Sequence, residues 1–304
     1  MKDVLLSIVI ANYNYGRFLE TAIRSVLCQN RNDVELIICD GGSTDNSVEI
    51  IQRYAKGLPP NTSYEEWQPK HTSQHATHNS QLLTWWCSEK DRGQSHAFNK
   101  GFAHARGRFL TWLNADDIMA PDAIAKLVLA IERHTKCEWF IGGCCWLDPE
   151  LKIIRCTRAR PLSKFRADGG DIQAYGPSSF FARSLFERVG GYVDEGFHFM
   201  MDTELWCRFY HRAHANYKML PGYIWGFRMQ PDSKTSGFRF KDSALSQSDN
   251  PMREKQRKEK AVHRSRYCTK PLTPWRRLLS VSWRLMLLGK LDTLRFSGKP
   301  FIEM

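Results

Sequence analysis

The chain has 304 residues, of which 42% are hydrophobic, enough to bury a sizeable core in one large domain or two smaller ones. Its formal net charge of +12 permits a polyanionic partner, which could be a nucleic acid, an anionic lipid or a phosphorylated substrate. The nine Cys show no metal-type spacing, and neither a secretory signal pattern nor an uncharged stretch of about 18 residues is found, so we expect a cytoplasmic protein with reduced thiols.

Nearly continuous apolar segments alternate with helical patterns along the first 118 residues. The predicted strands cover residues 5–10, 34–39, 82–86 and 109–113, and the first three are each followed by a polar loop and a helix. Strands that are apolar throughout are typical of a sheet covered on both faces, so the sequence predicts an α/β nucleotide-binding architecture. Neither a Gly-rich dinucleotide fingerprint nor a P-loop pattern follows a strand, which argues against nicotinamide enzymes and P-loop NTPases.

Each predicted strand ends in a loop that carries polar side chains. These residues are Asn12, Tyr13, Asp40, Asp91, Arg92, Asp116 and Asp117. In an open α/β sheet such loops gather along one edge, where ligands bind. We therefore expect these side chains to surround a common ligand site.

The adjacent carboxylates of Asp116 and Asp117 are the strongest indication of chemistry in the chain. Neighbouring hard oxygen ligands suit Mg²⁺ or Mn²⁺ held jointly with substrate phosphates. The alternative is that the pair caps the helix that begins near Pro121. Because Asp122 can serve that helix start, Asp116 and Asp117 remain available for a cation.

The polar segment of residues 57–80 interrupts the alternation of strands and helices, and we interpret it as a surface insertion. It contains His71, His75 and His78, whose spacing could place three imidazoles on one helical face. No Cys or acid nearby completes a tetrahedral zinc site, so solvated histidines are favoured over zinc ligands.

Seven segments in the same order resemble glycosyltransferase family 2, the inverting enzymes with the GT-A fold, and the resemblance covers roughly residues 5–230. The segments lie at 7–14, 40–45, 91–101, 113–117, 177–181, 189–192 and 201–206. The resemblance implies a Rossmann-like central mixed sheet flanked by helices, followed by a C-terminal helical tail. It also implies a nucleotide-sugar half at 1–118, an acceptor and catalytic-base half at 119–230, and a basic helical extension at 231–304.

The same resemblance implies roles for individual residues. Asp40 would accept a hydrogen bond from a uracil-type base, Asp117 would bind the Mn²⁺ or Mg²⁺ cofactor, and Asp202 would be the general base. The nucleotide-binding residues would be Ala11, Asn12, Tyr13, Asp40, Asp91, Arg92 and Asp116. Asp202 is also suited to the first turn of a helix, where the dipole would lower its pKa, so capping is the alternative role.

Three further positions are expected near the acceptor or the phosphates. Trp206 would lie half in the core and half in an acceptor platform, while Arg228 and Lys234 would contact phosphate. The chain departs from the family pattern at Asn114, Met201 and Gln230, where relatives often have Asp, Glu and His. The Gln230 side chain can still accept a hydrogen bond from a hydroxyl group or bind a hard cation, but it adds no negative or positive charge. These departures leave a catalytically degenerate scaffold as an alternative.

The absence of transmembrane helices and of a Gln-x-x-Arg-Trp signature favours transfer of a single sugar, most readily from a UDP-sugar, to a saccharide or lipid-linked saccharide. A helix is predicted from Thr273 to a stop at Gly289, with an apolar surface and a narrow basic stripe. This pattern suits peripheral contact of residues 273–289 with the inner face of an anionic membrane, or docking on the catalytic domain or a second subunit. An RNA-binding protein is the nonenzymatic alternative, disfavoured because acids crowd the proposed cleft.

Overall fold

The computed structural model describes residues 3–56, 83–233, 251–271, 273–279 and 283–301. The predicted insertion at 57–80, with its three histidines, and Lys234 lie outside these ranges. Within them, nine strands form one mixed sheet. The strands are β1 (Leu6–Asn12), β2 (Val34–Asp40), β3 (Leu83–Ser88), β4 (Phe109–Asn114), β5 (Ile118–Met119), β6 (Trp139–Leu147), β7 (Ile153–Thr157), β8 (Ser179–Ala182) and β9 (Tyr217–Arg228).

Helices flank this sheet and follow it in a C-terminal extension. They are α1 (Gly16–Leu27), α2 (Ser47–Ala55), α3 (Gln94–His104), α4 (Ala123–Arg133), α5 (Lys164–Ala167), α6 (Arg183–Arg188), α7 (Met201–Cys207), α8 (Pro251–Tyr267), α9 (Pro274–Leu279) and α10 (Trp283–Phe296). None of the helices in the described ranges is both long and apolar enough to cross a membrane.

The four strands predicted from the sequence are all present and lie side by side. They run parallel in the order β3-β2-β1-β4, with Asn12 opposite Asp40 and Ala11 opposite Asn114. Their carboxyl ends therefore meet at one edge of the sheet. Strand β8 joins antiparallel to β4, β6 is antiparallel to β8 and parallel to β9, and so strands from both predicted halves share the sheet. Strands β5 and β7 pair antiparallel to β9 and β6.

Burial explains why these segments form the centre of the sheet. Every residue of β2 is buried, as are six of the seven residues of β1, which confirms the prediction of a sheet covered on both faces. Helix α3 packs very close to β1, since a Cβ at Gly101 would lie 2.3 Å from Cγ1 of Val9. A residue larger than Gly at this position would force the helix away from the strand.

The C-terminal extension packs against the domain. The predicted stop at Gly289 is wrong, because Gly289 lies inside α10, which continues to Phe296. Residues 280–282, between α9 and α10, lie outside the described ranges. A Cβ at Gly289 would lie 3.3 Å from the carbonyl oxygen of Cys156, so glycine lets α10 approach β7 closely. Arg158 pairs with Asp292 at 2.6 Å and completes this contact. Helix α10 therefore docks on the catalytic domain, which was one of the predicted alternatives.

Phe301, the last residue that the structure describes, packs in the core, where its side chain is 1% exposed beside Gly226. We expect Phe301→Ala to lower the free energy of unfolding by about 3 kcal/mol, because it removes buried area and leaves a cavity. Trp275→Ala is the matched control, since Trp275 is 75% exposed and should change stability by less than about 0.5 kcal/mol. Urea unfolding curves measure both, and equal stability of Phe301→Ala and wild type would contradict this docking.

Candidate active site

A cavity of about 500 Å³ opens at the carboxyl ends of the parallel strands. It is larger than a single side chain requires and is within the range of small-molecule sites. Six of the residues predicted to bind nucleotide or to act in catalysis line this cavity. They are Ala11, Asn12, Tyr13, Asp91, Asp116 and Asp202.

Asp40 does not line the cavity, contrary to the expectation that it contacts a base. Its side chain is fully buried, and its Oδ1 accepts hydrogen bonds from Asn12 Nδ2 at 2.6 Å and Ser43 Oγ at 2.5 Å. Its Oδ2 accepts from Ser88 Oγ at 2.6 Å and from the backbone amides of Gly42 and Ser43. Five protein donors thus occupy the carboxylate, which holds together the loops after β1, β2 and β3.

Asp91 and Arg92 point to different surroundings. Asp91 lines the cavity. Glycine at position 41 leaves room for the Asp91 carboxylate, since a Cβ atom on Gly41 would lie only 2.7 Å from Asp91 Oδ2. Arg92 instead forms an exposed two-pronged ion pair with Glu195, at 2.9 and 3.1 Å. The guanidinium of Arg92 thus joins two surface loops and does not line the cavity, and its nucleotide contact stays a prediction.

The neighbouring carboxyl groups of Asp116 and Asp117 also separate. Asp116 faces the cavity and accepts a hydrogen bond from Gln230 Nε2 at 3.0 Å. Asp117 is fully buried, and its two oxygens accept from the backbone N–H of Arg228 at 3.0 Å and from Asn114 Nδ2 at 2.7 Å. Asp117 is thus held by protein donors and does not line the cavity, whereas Asp116 does, so the metal ligation expected of Asp117 stays a prediction.

Burial raises the pKa of Asp117 well above its usual range, and the negative charge of Asp116 adds to this effect. The hydrogen bonds from Asn114 and from the Arg228 backbone act in the opposite direction. Asn114 is in turn held by Gln94, whose Nε2 donates to Asn114 Oδ1 at 2.6 Å. The departure from the family pattern at Asn114 thus supplies a donor that supports Asp117.

Gln230 occupies a buried position beside Asp116. Its amide nitrogen donates to Asp116 and to the Tyr15 hydroxyl, while its amide oxygen accepts from the backbone N–H of Asp232 at 3.0 Å. The nitrogen rather than the oxygen therefore faces Asp116. In this arrangement Gln230 orients the Asp116 carboxylate and does not offer a cation ligand.

Arg228 is a buried cation next to the two carboxyl groups. It is 5% exposed, and its guanidinium lies 4.6 Å above the ring of Phe18. Its Nε and Nη2 have no hydrogen-bond partner within the described ranges. Burial lowers its pKa, although the charges of Asp116 and Asp117 act to raise it. A buried guanidinium with unused donors is suited to binding an anion.

No group of three or more His, Cys, Asp or Glu side chains that could hold a metal occurs in the described part of the chain. Mg²⁺ and Mn²⁺ bound with substrate phosphates commonly take only one or two protein carboxylates. The cavity carboxylate of Asp116 fits this requirement, with phosphate oxygens and water as the remaining ligands.

Asp202 lies in the first turn of α7 and lines the same cavity as Asp116. Its Oδ1 accepts hydrogen bonds from the backbone N–H of Thr203 at 2.7 Å and from the Thr203 hydroxyl at 3.3 Å. Burial nevertheless raises its pKa, outweighing these hydrogen bonds. The expected lowering by the helix dipole is therefore not the dominant effect, and a raised pKa makes this carboxylate a stronger base.

Trp206 belongs entirely to the core, so the prediction of an acceptor platform at this residue is wrong. It is fully buried and stacked between two indoles, with ring centroids 5.4 Å from Trp112 and 5.1 Å from Trp139. Its position one turn after Asp202 places it behind the cavity wall, where it supports α7 against the sheet.

An aromatic wall that the sequence analysis missed faces the cavity instead. It consists of Trp146 on β6, Trp225 and Phe227 on β9, and Tyr175. Phe227 lies directly opposite Trp146, and their rings meet edge to face with centroids 5.1 Å apart. The only sequence signal was the aromatic content of two apolar strands, which does not distinguish a cavity wall from core.

Comparisons with known proteins agree with this geometry. The profile of glycosyltransferase family 2 matches residues 7–190. An uncharacterized glycosyltransferase of Nostoc is 36% identical over 123 residues, which are 40% of this chain and 31% of that protein. An uncharacterized glycosyltransferase of Mycobacterium tuberculosis is 29% identical over 207 residues, 67% of this chain and 68% of that protein.

Solved structures share the fold at low sequence identity. Residues 1–349 of Staphylococcus aureus TarS, in complex with UDP, match with a TM-score of 0.53 and 15% identity over 84% of this chain and 70% of that one. A mannosyltransferase of Pyrobaculum calidifontis, in complex with GDP-Man and Mn²⁺, matches with a TM-score of 0.54 and 16% identity over 99% of this chain and 83% of that one. Since the family profile covers more than half of the residues, the chain belongs to glycosyltransferase family 2 and is a glycosyltransferase with the GT-A fold.

Proposed function

We propose that this protein transfers a single sugar, with inversion, from a nucleotide diphosphate sugar to a hydroxyl group of a saccharide or a lipid-linked saccharide. The observation that carries the proposal is that Asp116 and Asp202 line one cavity, together with the residues at the end of β1. One carboxylate is thus available on the donor side and another, with a raised pKa, for the acceptor. A UDP-sugar is our first choice of donor, supported by the UDP complex of the structural neighbour TarS.

The reaction requires one base and stabilisation of one leaving group. Asp202 takes the proton of the acceptor hydroxyl while that oxygen attacks the anomeric carbon, and the bond from this carbon to the diphosphate breaks. The nucleoside diphosphate leaves with the bonding electrons. A divalent cation bound at Asp116 would neutralise charge on the departing diphosphate. Arg228 supplies further positive charge from behind the two acids.

The direct test is a donor screen with UDP-, GDP- and dTDP-sugars, each with Mn²⁺, Mg²⁺ or EDTA. We expect a cation-dependent rise in melting temperature with one nucleotide class and slow hydrolysis of that sugar donor without acceptor. Binding without hydrolysis or transfer would favour the degenerate scaffold suggested by Asn114, Met201 and Gln230. Failure to bind any nucleotide sugar would refute the proposal.

We further propose that the C-terminal extension contacts an anionic membrane. In α9, Trp275, Leu278 and Leu279 are exposed, and in α10 an exposed apolar stripe runs along the side opposite its docked face. This stripe consists of Leu287, Leu291 and Leu294. The same extension carries exposed basic side chains, Lys290, Arg295 and Lys299, whose positive charges favour contact with an anionic surface.

Flotation with phosphatidylglycerol-containing vesicles tests this contact. The triple variant Trp275→Ser, Leu278→Ser, Leu279→Ser should lose most of the vesicle-bound fraction, because each buried side chain contributes roughly 1.5–3 kcal/mol. Leu129→Ser, at an exposed leucine on α4, is the matched control and should float like wild type. Equal flotation of the triple variant and wild type would exclude membrane binding through α9.

A further inference from the structure

The pleat of the sheet places an arginine on the cavity face beside the aromatic wall. Strand β6 pairs with β9 on one side and with β7 on the other, and Trp146 lies directly opposite both Phe227 and Arg155. Residues directly opposite each other on neighbouring strands share a face of the sheet. Because Trp146 and Phe227 line the cavity, Arg155 lies on the cavity face as well.

The contacts of Arg155 confirm this placement. Its guanidinium lies 4.3 Å from the ring centroid of Trp146, and its side chain is exposed. Within the described ranges it forms no ion pair, and neither does Arg160, which follows shortly after β7. Arg158, which directly follows β7, is in contrast paired with Asp292. The two positive charges at the β7 end of the wall are therefore not paired with any carboxylate among the described residues.

Tyr175 links both arginines to the cavity. Burial raises the pKa of Tyr175, while the positive charges of Arg155 and Arg160 lower it, so both guanidinium groups act on this cavity-lining phenol. Asp116 and Asp202, by contrast, make the rest of the cavity acidic. An anionic group of a bound ligand is favoured at the β7 end, whereas next to these two carboxylates it would need a bridging cation.

We infer that the aromatic wall with Arg155 and Arg160 is an acceptor subsite for a saccharide that carries a phosphate or carboxylate group. The inference rests on the proposed function, because it identifies this saccharide as the acceptor. Trp146, Trp225 and Tyr175 provide apolar surface for a sugar ring, while the arginines bind the anion. The hydroxyl to be glycosylated would then point away from the β7 end, toward Asp202.

Three probes with one aromatic aglycone separate the contributions: phenyl β-glucoside, its 6-phosphate and phenyl β-glucuronide. Their binding is measured by quenching of tryptophan fluorescence, at low and at physiological salt, for wild type, Arg155→Gln, Arg160→Gln and Arg133→Gln. Arg133 is the matched control, as an exposed arginine at the end of α4. Melting temperatures establish that each variant is folded, and a separate UDP titration tests the proposed function itself.

We expect at least one anionic probe to bind about tenfold or more tightly than the neutral glucoside, with an affinity that falls as salt rises. Arg155→Gln and Arg160→Gln should each remove most of this preference, while Arg133→Gln should not. The preferred probe distinguishes phosphate from carboxylate. Equal binding of all three probes, or an unchanged preference in both variants, would overturn the inference even if UDP binds. Failure of the wild type to bind any of the UDP-, GDP- and dTDP-sugars would instead refute the proposed function.

Discussion

Asp202→Asn should reduce sugar transfer by about 10²- to 10⁴-fold, the usual contribution of a general base, with little change in the affinity for the nucleotide. The physical reason is that the amide cannot accept the proton of the acceptor hydroxyl. The substitution is nearly isosteric, and Asn can still accept a hydrogen bond from the backbone N–H of Thr203. Initial rates of transfer at saturating donor, together with a UDP titration, measure the two effects separately.

Asp122→Asn is the matched control, since Asp122 is an exposed acid paired only with Lys126 among the described ion pairs. The pH profile provides a second readout. Because burial raises the pKa of Asp202, the wild-type rate should fall with decreasing pH at values above the ordinary aspartate range near 4. Asp202→Asn should lack this acid limb. Turnover equal to wild type would remove Asp202 from the role of base.

Asp116→Asn should weaken cation-dependent binding of the nucleotide sugar by at least about tenfold, because the cavity loses the carboxylate that we propose as the metal ligand. Binding measured with EDTA should change much less. Donor affinity is measured in Mn²⁺ and in EDTA, for both wild type and variant. The difference between the two conditions separates the contribution of the cation from general effects of the substitution.

Asp117→Asn provides the contrasting variant at the adjacent residue. Asp117 accepts hydrogen bonds from Arg228 and Asn114 inside the protein, so the amide should lower the free energy of unfolding by about 1–3 kcal/mol through a mismatched donor. Donor binding by Asp117→Asn should still depend on the cation. If Asp117→Asn abolished the effect of Mn²⁺ and Asp116→Asn retained it, Asp117 would be restored as the metal ligand.

The sequence alone was sufficient for the central part of the fold. Strands β1, β2 and β4 were predicted because their residues are apolar on both faces, which leaves few alternatives to the centre of a parallel sheet. The polar residues at the strand ends then had to meet at one edge, as they do. The resemblance in seven ordered segments identified the family, and the profile match at residues 7–190 confirms it.

Residues that are neighbours in the sequence, or that have the same side chain, can have different roles, and only the three-dimensional structure distinguishes them. The backbone N–H of Asp117 donates to the carbonyl of Asn114 in a tight turn, and beyond this turn Asp116 lines the cavity while Asp117 is fully buried. Trp206 and Trp146 are alike as aromatic residues in apolar surroundings. Only packing distinguishes them, since Trp206 is stacked between two core indoles and Trp146 faces the cavity.

The sequence by itself thus determined the parallel core and the acidic edge, because local apolarity and strand direction dictate both. The tertiary structure decided which of the two adjacent carboxylates faces the cavity, where the aromatic wall lies and how the C-terminal extension docks. These features arise from β6, β7, β9 and α10, which are distant in the chain and come together only when the sheet is formed. Side-chain direction at such contacts depends on the register between strands, and register is a property of the folded sheet.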